Sequence, residues 1–186
     1  MPEPNNDINT PVAQSAESRN VGQQLAGKYM TFKLANEEYG LAILRVREII
    51  GLMDITRVPR TKEFIRGVIN LRGKVIPVVD LRMKFNMPVT EATDQTVIIV
   101  VQWVVSNNAT TMGILVDEVL EVLNIAAEQI EPPPELYSRN GETDFILGIG
   151  KADKRVICLL DIEQVLSKDE TMHLRTLEGN DRKGTP

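Results

Sequence analysis

Two stretches in different halves of this chain carry nearly the same pattern. Gly67 to Leu81 lines up without a gap on Gly148 to Ile162, sharing a glycine, an apolar residue, a polar tip, a basic residue, an apolar run and an Asp. A second echo lies upstream of each copy. There Gly40 to Ile43 with Val46, Glu48 and Ile49 matches Gly113 to Val116 with Val119, Glu121 and Val122. Two units repeated in the same order mark an internal duplication. With 186 residues and 42% apolar content the whole chain can bury a real core, whereas each half alone is near the lower limit of independent stability. The halves are therefore expected to depend on each other and to leave a groove between them.

The net charge of -5 and the scatter of Lys and Arg along the chain disfavour a phosphate backbone as partner, so no nucleic acid is expected. The first residues lack a basic segment followed by an apolar one, and no run approaches the roughly 20 apolar residues that span a bilayer. A cytoplasmic location without membrane insertion is expected. The lone Cys158 sits in the apolar run Val156 to Leu160, where a buried strand position is expected, and His173 lies beyond the last apolar run.

Residues 1–27 are rich in Asn, Gln, Ser, Pro and Ala without periodicity, as in a flexible extension, and residues 168–186 form a polar tail with room for a helical turn at Thr171 to Leu177. The folded part is expected over residues 28–167. Its pseudo-repeated subdomains would meet near residues 90–96, with a chain crossing between them allowed for. Tyr29 to Leu34 and Tyr39 to Ile43 flank the turn Asn36-Glu37-Glu38 as a hairpin. Arg45 to Ile50 fits either period, and a strand is preferred. Thr61 to Gly67 predicts a short helix, with Thr61 as N-cap and Gly67 at its end. Val68 to Leu71 and Lys74 to Val79 predict a hairpin tipped by Arg72-Gly73, with Pro77 requiring an edge or a bulge. Thr96 to Val105 and Thr111 to Val116 predict strands around a polar turn, and Ala126 to Ile130 a helical turn before Pro132 to Pro134.

Many short strands and few helices point to a mainly β fold of two small barrels. Asp80 and Asp161 occupy equivalent repeat positions. They could suggest metal or acid–base chemistry, but the preferred reading is that each caps the helix it introduces, Leu81 to Phe85 and Ile162 to Leu166. No Ser/Cys–His pairing, phosphate-cradling loop, CxxC or HExxH motif is present, so neither an enzyme nor a cofactor is expected.

The runs Glu37 to Gly40, Arg45 to Ile49, Phe64 to Gly73, Val75 to Arg82 and Gly148 to Gly150 together resemble the CheW family of chemotaxis coupling proteins. Asn70-Leu71-Arg72-Gly73 followed by Pro77 to Arg82 is the specific part. The resemblance implies two five-stranded SH3-like barrels around a hydrophobic groove, and a non-enzymatic adaptor joining chemoreceptors to the histidine kinase CheA. Related domains occur inside CheA and CheV beside other domains for which this chain has no room, so the stand-alone adaptor is the expectation.

Carried over residue by residue, the resemblance implies contact with a chemoreceptor signalling tip at Val46, Glu48, Arg72, Val97, Ile98, Val119 and Gly148. It implies contact with the regulatory domain of CheA at Ile49, Arg66 and Gly67. A helical hairpin with apolar anchors suits a groove, and Arg72 offers a planar, always charged fork for a partner carboxylate. Without the resemblance, the valines and Ile98 would be read as core and Arg72 as a solvated turn residue. The chain departs from the family pattern in its N-terminal extension, a lengthened turn around Ser106 to Thr110, and Trp103, which is either a core residue or an extra partner surface. Two alternatives remain beside the adaptor: another SH3-like module that binds a peptide or RNA, and a hydrolase using Asp80 and Asp161.

Overall fold

A computed structural model of the chain describes residues 16–105, 107–135 and 143–179. Eleven strands dominate the described residues. They are β1 (Gly27–Leu34), β2 (Glu37–Ala42), β3 (Val46–Gly51), β4 (Ile65–Leu71), β5 (Lys74–Asp80), β6 (Val97–Val105), β7 (Asn108–Val116), β8 (Glu118–Ile125), β9 (Ile130–Glu131), β10 (Ile146–Ala152) and β11 (Arg155–Leu160). The described helices are α1 (Ala16–Leu25), α2 (Leu81–Lys84), α3 (Ile162–Val165) and α4 (Lys168–Gly179), with 3-10 turns at Ile43–Arg45 and Ala127–Gln129.

The strands form a six-stranded sheet in the order β8-β1-β2-β11-β10-β9 and a five-stranded sheet in the order β3-β6-β7-β5-β4, each curled in the manner of an SH3-like barrel. Each sheet is therefore built from both halves of the chain. The first hairpin of one repeat joins the third strand and second hairpin of the other, with parallel pairs β11 to β2 and β5 to β7 sealing the exchange. Residues 90–96 lie between α2 and β6, and so between the repeats, while each barrel draws strands from both sides of them. The physical reason is that parallel pairing across repeats satisfies backbone groups that each hairpin would otherwise leave at an open edge.

The duplication extends to individual hydrogen bonds. The Asp80 N–H donates to the Phe64 carbonyl and the Asp161 N–H to the Phe145 carbonyl, both at 2.8 Å. Bulges fall between Ile65 and Gly67 and between Ile146 and Gly148, and the aligned turn residues Arg72 and Asp153 both have φ 54°. Asp80 accepts from the Met83 N–H at 3.3 Å and Asp161 from the Glu163 N–H at 3.0 Å, so both carboxylates cap helices.

The largest core cluster lies between the sheets. Phe32, Leu34 and Leu41 from one sheet meet Ile99, Trp103, Met112 and Ile114 from the other. Smaller clusters fill each barrel: Tyr29, Ile125, Ile130, Ile157 and Leu159 in the six-stranded one, and Ile69, Ile76, Val78, Ile98 and Val100 in the five-stranded one. Trp103 is 1% exposed and belongs to the shared core, not to a surface.

Several local expectations are corrected. Residues 61–67 form no helix: the Thr61 hydroxyl donates to the Val58 carbonyl, and β4 already begins at Ile65 with Ile65, Gly67 and Ile69 facing inward. Alternation enforced by pairing with β5 outweighs the local helix signals there. Of the turn expected around Ser106 to Thr110, Asn108, Ala109 and Thr110 belong to β7 and pair with Val105, Val104 and Trp103 of β6; Ser106 lies outside the described residues. Pro77 is not on an edge, since β5 lies between β7 and β4, but pairing with β7 begins only at Val78.

The ends are also more structured than their composition implies. Within the expected extension, α1 packs Gly22 against Ala127; residues 1–15 lie outside the described set. Within the expected tail, α4 buries Leu174 completely and sets Glu170 between Lys62 at 2.7 Å and Lys84 at 2.8 Å; residues 180–186 lie outside the described set. Burial raises the Glu170 pKa, but hydrogen bonds from Lys62, Lys84 and the Ser167 N–H outweigh it and bring the carboxyl down to about 2.

Candidate functional site

The Asn70-Leu71-Arg72-Gly73 turn places its cation by backbone geometry. Arg72 and Gly73 both have positive φ, 54° and 82°, as the tight turn between β4 and β5 requires, and the Gly73 N–H donates to the Asn70 side chain at 2.8 Å. The Arg72 guanidinium therefore stands at the hairpin tip. It meets Glu48 on β3 through two parallel bonds, Nη1–Oε1 at 2.8 Å and Nη2–Oε2 at 2.7 Å. Because β3 and β4 stand at opposite ends of the sheet order, this fork bridges the seam of the curled barrel. The Arg72 hydrogen bond holds the Glu48 carboxyl below the usual carboxylate range. At 73% exposure, the Arg72 side chain remains accessible.

The other barrel repeats the device. Arg155, at the start of β11, donates to Glu121 on β8 at 2.7 Å and to Glu38 on β2 at 3.4 Å. Glu121 is the repeat counterpart of Glu48, so the Glu121 half of this second seam was already present in the alignment. Its cation was hidden, because Arg155 aligns with Lys74 rather than with Arg72.

Of the apolar residues expected at the receptor contact, Val46, Val97 and Val119 are half-buried and pack at the rim of the core shared by the two sheets. Ile98 does not join them. Alternation along β6 turns it inside the five-stranded barrel, where it is 0% exposed and has no surface for a partner. Gly148 is also buried: a Cβ there would lie 2.9 Å from the Glu131 carbonyl oxygen and 3.2 Å from Leu25 of α1.

The residues expected at the kinase contact take different roles. Ile49 is exposed on β3. Arg66 stands in the β4 bulge, 3.4 Å from Asp80, and lines a shallow cavity of about 460 Å³ with Ile55, Arg57, Glu63, Ile65 and Met83. Gly67, at φ 140°, lies under the Thr56–Arg57 backbone, so it shapes the surface without offering a side chain. Leu44, Leu52 and Met53 add exposed apolar area around β3. Their short apolar runs could not be told from core by periodicity.

Asp80 closes β5 and Asp161 follows β11, and each carboxylate accepts a backbone N–H of the helix it introduces. Burial, with Glu37 nearby, pushes the half-buried Cys158 thiol up and disfavours the thiolate. Among the described residues no helix is long and apolar enough to cross a membrane.

Comparison with known proteins places this geometry. The family model of the CheW-like domain matches residues 28–170. A chemotaxis protein CheW of Klebsiella aerogenes is 40% identical over 153 residues, covering 82% of this chain and 89% of that protein. The Helicobacter pylori chemotaxis protein CheW is 34% identical over 155 residues, covering 83% of this chain and 90% of its own length. The crystal structure of the scaffolding protein TtCheW from Thermoanaerobacter tengcongensis superposes with a TM-score of 0.68 at 36% identity, covering 78% of this chain and 96% of that one.

Proposed function

The chain belongs to the CheW family, and from that premise we propose that it couples chemoreceptors to a CheA-type histidine kinase, working in the cytoplasm and catalysing no reaction itself. It is an adaptor of chemotaxis signalling. Coupling requires two separable surfaces on one rigid body, and two barrels sharing a core supply the rigidity.

The receptor reading rests on one observation above the others: the exposed Arg72–Glu48 fork closes the barrel whose strands β3 and β6 also carry Val46 and Val97 at the rim of the shared core. An apolar rim beside a directional charge suits an amphipathic helical tip, the apolar face giving contact area and the charge fixing register. The expected list contracts to Val46, Glu48, Arg72, Val97 and Val119, with Ile98 supporting from behind. For the kinase, Ile49 and Arg66 supply contact, and Gly67 holds the Thr56–Arg57 segment beside them.

Calorimetric titration of the protein with the regulatory domain of its kinase and with a receptor signalling-tip fragment tests this reading. Micromolar affinity for both is expected, with Arg72→Glu losing the receptor and keeping the kinase. Loss of both partners in a variant that is still folded would refute two separate surfaces, and absence of binding by the wild type would refute the coupling role.

A further inference from the structure

Among the described residues the chain passes between the two sheets at two places. β2 hands over to β3 through the Ile43–Arg45 turn, and β7 to β8 through Asp117. An ion pair grips each crossing. Arg45 binds Glu163 of α3, and Arg82 of α2 binds Asp117 through two bonds, the one from Nε to Oδ1 measuring 2.7 Å. Arg82 also donates to the Pro88 carbonyl at 2.9 Å, and Asp117 accepts the Ala35 N–H at 2.6 Å. Parallel pairing brings these partners together. β2 runs alongside β11 and β7 alongside β5, so the crossing that follows one strand of each pair lies beside the helix that follows the other.

The two clamps are equivalent in position and opposite in charge. One residue beyond the alignment of Gly67 to Leu81 with Gly148 to Ile162, Arg82 stands against Glu163, and in the upstream echo Leu44-Arg45 stands against Asp117-Glu118. The helix therefore supplies the cation in one clamp and the anion in the other. We propose that this reversed polarity selects the exchanged pairing of the repeats and rejects the unexchanged one. In the observed topology each crossing meets the helix of the other repeat, and both contacts are attractive. If each first hairpin paired within its own repeat, β2 would lie beside β5 and β7 beside β11. Arg45 would then meet Arg82 and Asp117 would meet Glu163, two repulsions in place of two attractions. The apolar frame discriminates less, because Gly40 to Ile43 and Gly113 to Val116 match each other. At the strength of partly exposed pairs, the four charges give a preference of roughly thirtyfold. The inference is independent of the receptor and kinase readings, since it concerns pairs within one chain.

The test reverses one clamp in place. Arg45→Glu with Glu163→Arg keeps the native attraction, but both crossings are then acidic and both helices basic, so either pairing is satisfied. Arg45→Gln with Glu163→Gln removes the pair without replacing it. Trp103, the one tryptophan of the chain, is 1% exposed in the shared core, and its fluorescence reports correct docking. Refolding from urea is followed after an unfolding pulse too brief for the 10 prolines to isomerise. Misrouted chains must reopen before they dock, which produces a slow phase. Its amplitude is expected to rise about tenfold over wild type in the reversed pair and by less in the Gln pair, while the reversed pair keeps the wild-type urea midpoint. Salt at about 1 M should bring the three proteins together. Clamps that merely hold the native fold predict a different order, with the reversed pair like wild type and the Gln pair the worse of the two, and that result overturns the proposal. A slow phase of equal amplitude in all three proteins at low salt overturns it as well.

Discussion

Gly67→Ala isolates the one position among the described residues where backbone conformation and close approach coincide. Gly67 has φ 140°, which L side chains rarely adopt, and holding alanine there costs on the order of 1–3 kcal/mol. Its Cβ would also stand 2.1 Å from the Thr56 carbonyl oxygen and 2.7 Å from the attached carbon. The Thr56–Arg57 segment must then move away, endangering the reciprocal hydrogen bonds between Thr56 and Val68, each 2.9 Å long. At about 1 kcal/mol for each bond, the total loss is about 3–5 kcal/mol, a large part of the stability of an ordinary domain. Urea unfolding of the purified protein measures this directly, with Gly51→Ala as control, because nothing lies within 4 Å of a Cβ at Gly51. The control is expected to be neutral or slightly stabilising. A loss below about 1 kcal/mol for Gly67→Ala would refute the claim that the Thr56–Arg57 segment is held by this glycine. Kinase affinity measured on the folded fraction should fall as well, since Arg57 and Arg66 line the same cavity.

Glu170→Gln should destabilise the protein at neutral pH by up to about 3 kcal/mol, the free energy corresponding to a pKa lowered from 4.5 to about 2. Because the folded-state pKa is depressed, that stability is present above pH 4.5 and disappears as the pH falls toward 2. Wild type and variant should therefore converge in unfolding experiments over that window, and a constant gap would disprove the linkage. Trp103→Ala, at a fully buried position of the shared core, should cost about 3–5 kcal/mol by thermal or urea unfolding. A much smaller loss would show that the two sheets do not share one core. Asp161→Ala should cost about 1 kcal/mol through loss of the α3 cap, with partner affinities unchanged in calorimetry. Arg72→Ala should leave the melting temperature nearly unaltered, since its ion pair with Glu48 is exposed, and a clear loss of stability would show that the seam depends on it.

The sequence by itself determined the repeat, the hairpins, the capping role of Asp80 and Asp161 and the position of Arg72 at a turn. Each follows from local rules: pleat alternation, N-cap chemistry and the positive φ that Arg-Gly supplies. It could not show which repeat's hairpin pairs with which, because Gly40 and Gly113 sit in equivalent contexts and either pairing suits the local pattern. Only the tertiary structure decided that the repeats exchange strands, that Thr61 to Gly67 extends into a strand, and that α1 and α4 pack on the barrels. In each case the decisive energy lies in contacts between residues far apart in the chain. Thr56 against Val68 and Gly67, Gly22 against Ala127, and Glu170 between Lys62 and Lys84 all escape a local window. Ile98 shows the limit most plainly. One step along β6 from Val97, it turns from the rim into a barrel interior, because which face of a strand is inside depends on what the sheet curls around.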